Sequence, residues 1–301
     1  MELTQIDKAV YGVLAYTNYF QYPLLDSEIF LKQHSKDIIS SEKINQSLKK
    51  ITAYKLIACK NRYYFIKDTT HRSIYNRNQR ERTSISKLNY AQSSLAIILK
   101  IPWLKSLIAT GSVAAGNAIK EDDIDILIIT DKNRLWIVRL LVIVILELKG
   151  IRRRPNDKTY ANKICFNMIL EAGYEVIPVE NQNIFTAYEL LQTKVLYDDN
   201  NCYHNFLTQN KWVAQFMANW YKTKLTNYPK NKIKKTKNNL LNISLKILLN
   251  KINYFLYQTQ RFYMSHRRTN ELVNLHQALF HPSNVAHKIL TAYRLSKKSI
   301  Y

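Results

Sequence analysis

Leu107-Ile108-Ala109-Thr110-Gly111-Ser112-Val113-Ala114-Ala115-Gly116-Asn117 leads through Ala118-Ile119-Lys120 into Glu121-Asp122-Asp123-Ile124-Asp125-Ile126-Leu127-Ile128-Ile129. An apolar run entering glycine reads as a strand that turns into a phosphate-binding backbone, because bare amides at the start of a helix attract anions. Gly111 and Gly116 have the spacing of a P-loop, but Asn117 and Ala118 stand where that loop needs lysine and a magnesium-binding hydroxyl. A dinucleotide-binding G-x-G-x-x-G and a nucleophile-elbow G-x-S-x-G are both missing. The acids that follow carry more information than the glycines.

Residues i and i+2 of a strand point to one face, so Asp123 and Asp125 project together while Ile124 and Ile126 pack the other side. Two carboxylates that close repel unless a cation lies between them. Magnesium takes oxygen ligands, commonly one or two carboxylates completed by substrate phosphates. The competing interpretation is a solvated acidic turn, Glu121 to Asp123, ahead of a core strand. Asp125 argues against it, because an acid inside an apolar strand needs a reason to be there. The pattern predicts a metal and nucleoside triphosphate site, in which one cation activates the attacking oxygen and another stabilises the leaving pyrophosphate.

Gly111-Ser112, a gap of about ten residues and then Asp123-Ile124-Asp125-Ile126, with apolar flanks at Ile108 and Leu127 to Ile129, resembles the signature of the DNA polymerase beta-type nucleotidyltransferase superfamily. The resemblance implies that Gly111 and Ser112 hold the triphosphate and that Asp123 and Asp125 bind Mg2+. The superfamily often adds a third carboxylate on a later strand. Here that strand is Ile164 to Leu170, and its polar, site-facing candidate is Asn167, which can ligate a metal through its carbonyl but cannot act as a base. Asp157 and Glu171 are possible substitutes that the sequence does not choose between. Arg152-Arg153-Arg154 either meets the triphosphate or caps a helix C-terminus, where cations are favoured; the cap is the expected role. Ala161 to Asn167 and Phe280-His281-Pro282 look like features of a group of bacterial proteins that join a winged helix to such a domain.

Working outward, Asp7 to Phe20 has helical apolar spacing, Tyr22-Pro23-Leu24-Leu25 breaks it, and Asp26-Ser27 opens a second helix. A third follows Ser40-Ser41, with Ile44, Leu48 and Ile51 on one face. Leu56 to Cys59 and Tyr63 to Ile66, joined by a polar turn, read as a two-stranded ribbon. That order predicts a winged helix over residues 1–70 whose third helix, with Lys43, Lys49, Lys50 and Lys55, contacts nucleic acid. Protein docking is the alternative use of such a unit. Residues 71–100 predict a connecting helix, 101–184 the nucleotidyltransferase domain with a small mixed sheet, and 185–301 a basic helical domain. The fold class is α+β. Leu135 to Leu148 is a nearly all-apolar helix, shorter than the roughly 20 residues that span a bilayer, and is expected to be buried in the core.

The 301 residues carry a net charge of +23, and residues 201–301 hold 17 Lys and Arg against the single acid Glu271. Such a half suggests a polyanionic partner, although a Lys-, Asn- and Ile-rich composition throughout explains it as well. In the tail, Lys222 to Lys237 reads as a basic linker and Leu240 to Leu249 as an apolar helix. Tyr254, Phe255, Tyr257, Phe262 and Tyr263 alternate with Arg261, Arg267 and Arg268 and either stack bases or form core; core is the expected role. His204, His266, His276, His281 and His287 lack ligand spacing and are expected at the surface or in packing, and Cys165 is expected to be a buried strand thiol. Cys59, Cys165 and Cys202 have neither disulfide nor zinc spacing, and Met1 to Val10 has no signal-peptide character, so a reducing, cytoplasmic setting is expected. The activity implied is Mg2+-dependent transfer of a nucleoside monophosphate from an NTP, most simply ATP, to an acceptor hydroxyl. The alternative is a winged-helix regulator that binds nucleic acid and keeps the second domain as a nucleotide sensor.

Overall fold

A computed structural model describes residues 2–66, 72–154, 156–228, 243–265, 272–279 and 283–298. The first unit runs α1 (Gln5–Asn18), β1 (Leu24–Leu25), α2 (Asp26–Lys32), α3 (Ser41–Ala53), β2 (Ile57–Lys60) and β3 (Tyr63–Ile66). Thr4 and Asp7 form a reciprocal cap at the start of α1. Asp7 also accepts from Ser47 Oγ at 2.7 Å and Lys50 Nζ at 2.8 Å, tying α1 to α3. The expected ribbon gains a third strand, because β3 pairs with both β2 and β1.

The long α4 (Arg72–Ser94) crosses to the second unit. There follow β4 (Leu104–Ala109), α5 (Gly111–Ala114), β5 (Ile124–Thr130), α6 (Leu135–Leu148), β6 (Ile164–Glu171), α7 (Ile184–Leu191), β7 (Lys194–Asp198), α8 (Cys202–Gln209), α9 (Ala218–Asn227), α10 (Ile243–Ser265), β8 (Leu272–Val273), β9 (Gln277–Leu279) and α11 (Ser283–Lys298). Six strands form one mixed sheet in the order β7-β4-β5-β6-β9-β8, with β5 and β6 parallel and the other pairs antiparallel. The crossover between β5 and β6 contains α6. β5 is buried on both faces, which is why it reads as a continuous apolar run: Ile124, Ile126 and Ile128 pack one core and Leu127 and Ile129 the other.

Residues 185–301 are therefore not an all-helical domain. They supply β7, β8 and β9 to the central sheet, so the expected boundary at 184 cuts through one folded unit. The three strands have two to five residues each, too short for alternation to reveal them. The N-terminal helices also share one apolar core with α7, α8 and α9, and Asn219 of α9 hydrogen-bonds the backbone of Phe30 and Ile39.

Two expectations about helices need correction. α6 is not buried all round, since Leu140, Leu141, Val144 and Leu148 are exposed along one face, whereas Trp136, Val142 and Leu146 enter the core. In α10, Tyr257 packs on Trp136, but Tyr254, Phe255, Phe262 and Tyr263 are exposed and do not form core. α10 instead holds α6 through polar groups: Asn253 Oδ1 accepts from Trp136 N at 2.9 Å and Ile137 N at 3.3 Å, replacing a cap that the helix start lacks. Lys222 to Asn227 belong to α9, not to a linker. Residues 229–242, Arg267, Arg268, His266 and Phe280-His281-Pro282 lie outside the described residues. Among the described residues no helix is long and apolar enough to cross a membrane.

His34 joins three elements. Its Nδ1 lies 2.7 Å from Tyr293 OH of α11 and its Nε2 lies 2.9 Å from Tyr188 OH of α7. Burial, with Lys297 adding its charge, holds its pKa down to about 3. The folded chain therefore binds this proton only near pH 3, whereas the unfolded chain binds it from about pH 6.5. Stability should fall as pH drops from about 6.5 towards 3, and His34→Gln should flatten that limb; urea unfolding at pH 7.5 and 5 measures the difference. Truncating fully buried Leu146 to Ala should cost about 2–5 kcal/mol, while Leu148→Ala, on the exposed face, should cost under about 0.5 kcal/mol in the same assay.

Candidate active site

The site forms where β4 ends and β5 begins. Thr110 N donates to the Asp125 carbonyl at 2.9 Å, which aligns the two strand ends. Gly111 follows with φ +62°, a left-handed conformation that glycine adopts without a Cβ clash. A Cβ at Gly111 would lie 2.5 Å from Asp125 Oδ2, so the glycine is also what lets that carboxylate sit against the turn.

The loop between is fixed by its own polar groups. Ser112 Oγ donates to Asp122 Oδ2 at 2.8 Å, and Ile119 N donates to the same oxygen at 3.1 Å. Lys87 of α4 reaches over to donate to the carbonyls of Lys120 and Asp122 and to Asn162 Oδ1, at 2.7 to 3.0 Å. Asp122 is thus spent on closing the loop.

Asp123 and Asp125 converge with Cys165, each offering a ligand atom within 4.8 Å of the others, and all three are half-buried. Arg153 Nη1 donates to Asp123 Oδ2 at 2.6 Å and to Cys165 Sγ at 3.9 Å. Burial, and next the Asp123 charge, push the Asp125 carboxyl up to about 7. Burial, and next the Asp125 charge, push the Cys165 thiol up to about 12, so it stays protonated at neutral pH. The two carboxylates fit a hard divalent cation that would relieve their repulsion; a neutral thiol is a poor ligand for one.

Asn167, the expected third group on this strand, lies at a bulge of β6. Asp125 pairs with Cys165 and Leu127 with Met168, so a bulge sets Phe166 and Asn167 together opposite the single residue Ile126. The extra residue breaks the two-residue alternation at the position of Asn167. It is buried, with its Oδ1 lacking a hydrogen-bond partner among the described residues. Cys165, expected as a buried strand thiol, is a half-buried thiol of β6 that lies with the two acids. Glu171 pairs with Thr130 at the far end of the strands and bonds His276 at 3.2 Å, and Asp157 accepts from Arg154 N, so neither replaces it. The arginine triplet divides: Arg152 and Arg154 pair with Glu147 in the last turn of α6, while Arg153 enters the site.

Sequence reasoning missed Glu189. Its carboxylate accepts from Gln192 Nε2 at 2.6 Å. Burial, and next the Asp125 charge, push it up to about 7. The signal was present, since Glu189 is the single acid in the apolar helix Ile184–Leu191.

Residues 94–186 match the family model described as a nucleotidyltransferase domain, a span that contains Gly111, Ser112, Asp123, Asp125, Cys165 and Asn167 and stops short of Glu189. No curated protein and no solved structure matches the chain. Residues 94–186 are a nucleotidyltransferase domain, consistent with the polymerase beta-type superfamily. Gly111→Ala should force Asp125 away from the turn and cost at least about 1–2 kcal/mol from the left-handed backbone alone. Thermal unfolding of the variant beside the wild type, each with and without Mn2+, measures both effects: a lower midpoint and a smaller cation-induced shift.

Proposed function

We propose that this chain is a Mg2+-dependent nucleotidyltransferase that moves a nucleoside monophosphate from an NTP, ATP first among them, onto an acceptor hydroxyl and releases pyrophosphate. The observation that carries this reading is the convergence of Asp123 and Asp125 beside the bare Gly111 turn, within the matched domain. Gly111 and Ser112 would hold the triphosphate, and Asp123 and Asp125 the cation. Bound there, Mg2+ supplies charge neutralisation to the phosphates and activation to the attacking oxygen. Arg153, already against Asp123, is the chain's own cation at the site and would swing to a phosphate oxygen once Asp123 is otherwise neutralised. The half-buried setting of Asp125 strengthens each of these contacts by excluding water. Catalysis would then come from positioning and charge, as is usual in phosphoryl transfer.

The N-terminal unit fits a winged helix. Its order of three helices and a hairpin closes with β1, and Lys43, Lys49 and Lys55 lie exposed on and after α3 while Lys50 is engaged by Asp7. A nucleic-acid partner for that face, and a cytoplasmic setting for a chain with three free cysteines, complete the proposal. One observation favours a second reading, a regulator that senses nucleotide without transfer: the group facing the two acids from β6 is the Cys165 thiol, which cannot serve as a base while protonated.

Incubation with ATP labelled at the α-phosphate, against ATP labelled at the γ-phosphate, tests the assignment. The α label should pass to protein, RNA or a lysate metabolite in a Mg2+-dependent way while the γ label leaves as pyrophosphate. Asp125→Asn should reduce transfer at least about 100-fold. Binding without transfer of either label would favour the sensor, and no binding of any triphosphate would remove the site assignment.

A further inference from the structure

α4 runs along the loop that leads to Asp123. Ser84, Lys87 and Ala91, spaced for one helical face, are all buried. One turn ahead of them, Arg80 Nη1 donates to Phe20 O at 3.1 Å and to Asn117 Oδ1 at 3.0 Å. Ser84 Oγ then accepts from Ala118 N at 3.0 Å. Lys87 Nζ donates to Lys120 O at 3.0 Å, to Asp122 O at 2.7 Å and to Asn162 Oδ1 at 2.9 Å. Two turns of one helix thus meet residues 117, 118, 120 and 122 in order.

An ammonium has three protons, and at Lys87 each has its own acceptor. The group is therefore a fixed three-way joint. Two of its acceptors precede β5 and the third precedes β6. Asn162 N also donates to Asp122 O at 3.2 Å, and Ile124 N donates to Lys163 O at 2.8 Å, so the joint sits where the two parallel strands begin. The Asp122 carbonyl belongs to the peptide that joins it to Asp123. The oxygens that Lys87 meets are two carbonyls and an amide, none of them a carboxylate, so what it holds is the path of the backbone.

We propose that the polar stripe of α4, with Lys87 at its centre, positions the cation site: it holds the loop from Asn117 to Asp122 against the start of β6, so that Asp123 and Asp125 converge on one divalent cation. The proposal rests on the transfer reading above, and it places part of the site's support outside the matched residues 94–186. Positioning and charge act in opposite directions here. A positive charge near the acids opposes a second cation, so removing it should by itself tighten cation binding. Losing the joint should loosen it. The sign of the change therefore separates the two.

The test is a titration of the full chain with Mn2+, without nucleotide, following free Mn2+ by electron paramagnetic resonance. The wild type, Lys87→Met, Ser84→Ala and Asp125→Asn are compared, with Ser86→Ala on the exposed side of α4 as a control and thermal unfolding in EDTA to establish that each is folded. Lys87→Met keeps the length of the side chain and loses its three donors; it should bind Mn2+ about tenfold or more weakly, although it also removes a like charge. Ser84→Ala, which changes no charge, should weaken binding by less, and it carries the test should Lys87→Met not fold. A folded Lys87→Met that binds Mn2+ as well as the wild type or better, with Asp125→Asn defective, would overturn the positioning role and leave the transfer reading standing. Unaltered binding by Ser84→Ala would do the same where Lys87→Met does not fold. A wild type that binds no Mn2+ would overturn both.

Discussion

A carboxylate seated on a glycine organises the centre of this protein. Asp125 enters the sheet at the first turn of β5, where its neighbours along the strand are committed to two apolar cores. It is tolerated because Gly111 presents no Cβ and because Thr110 N, bonded to the Asp125 carbonyl, fixes the strand ends in that register. The rest of the site is placed relative to it: Asp123 two residues before, and Cys165 in register across the parallel pair. A methyl group at position 111 would disturb all of these together.

The surrounding loop shows how a fold assigns acids that look alike in sequence. Glu121, Asp122, Asp123 and Asp125 form one acidic run, yet Asp122 is consumed by Ser112 Oγ and Ile119 N, Asp123 meets Arg153, and Asp125 sits against the bare Gly111. The triplet Arg152 to Arg154 is divided in the same way by strand geometry. Arg152 and Arg154 turn towards Glu147 at the end of α6, and the residue between them points to the other side and reaches the acids. Alternation along an extended backbone does this without any difference in residue type.

What was legible in the sequence was local. Gly111-Ser112 and Asp123-Ile124-Asp125 lie within fifteen residues and owe their geometry to one strand–turn–strand unit, so spacing alone located the site. α6 was legible to its exact bounds, but its environment was not, because a wholly apolar helix does not say which face a neighbour covers. The surroundings of Asn167 were not legible for a definable reason: one extra residue in β6 shifts the parity, and bulges leave no pattern in sequence. β7, β8 and β9 were hidden by their length, and Glu189 by its distance of 78 residues from Gly111.

The two units work as one molecule through a shared core. α7 packs in the apolar cluster that joins the N-terminal helices to Ile108 of β4 and to Leu127 and Ile129 of β5. Tyr188 stacks on Tyr16 of α1 at 4.0 Å and bonds His34, one residue before Glu189. Whatever binds the first unit acts on a structure that shares its core with the site, and the fold supplies a short physical route from one to the other.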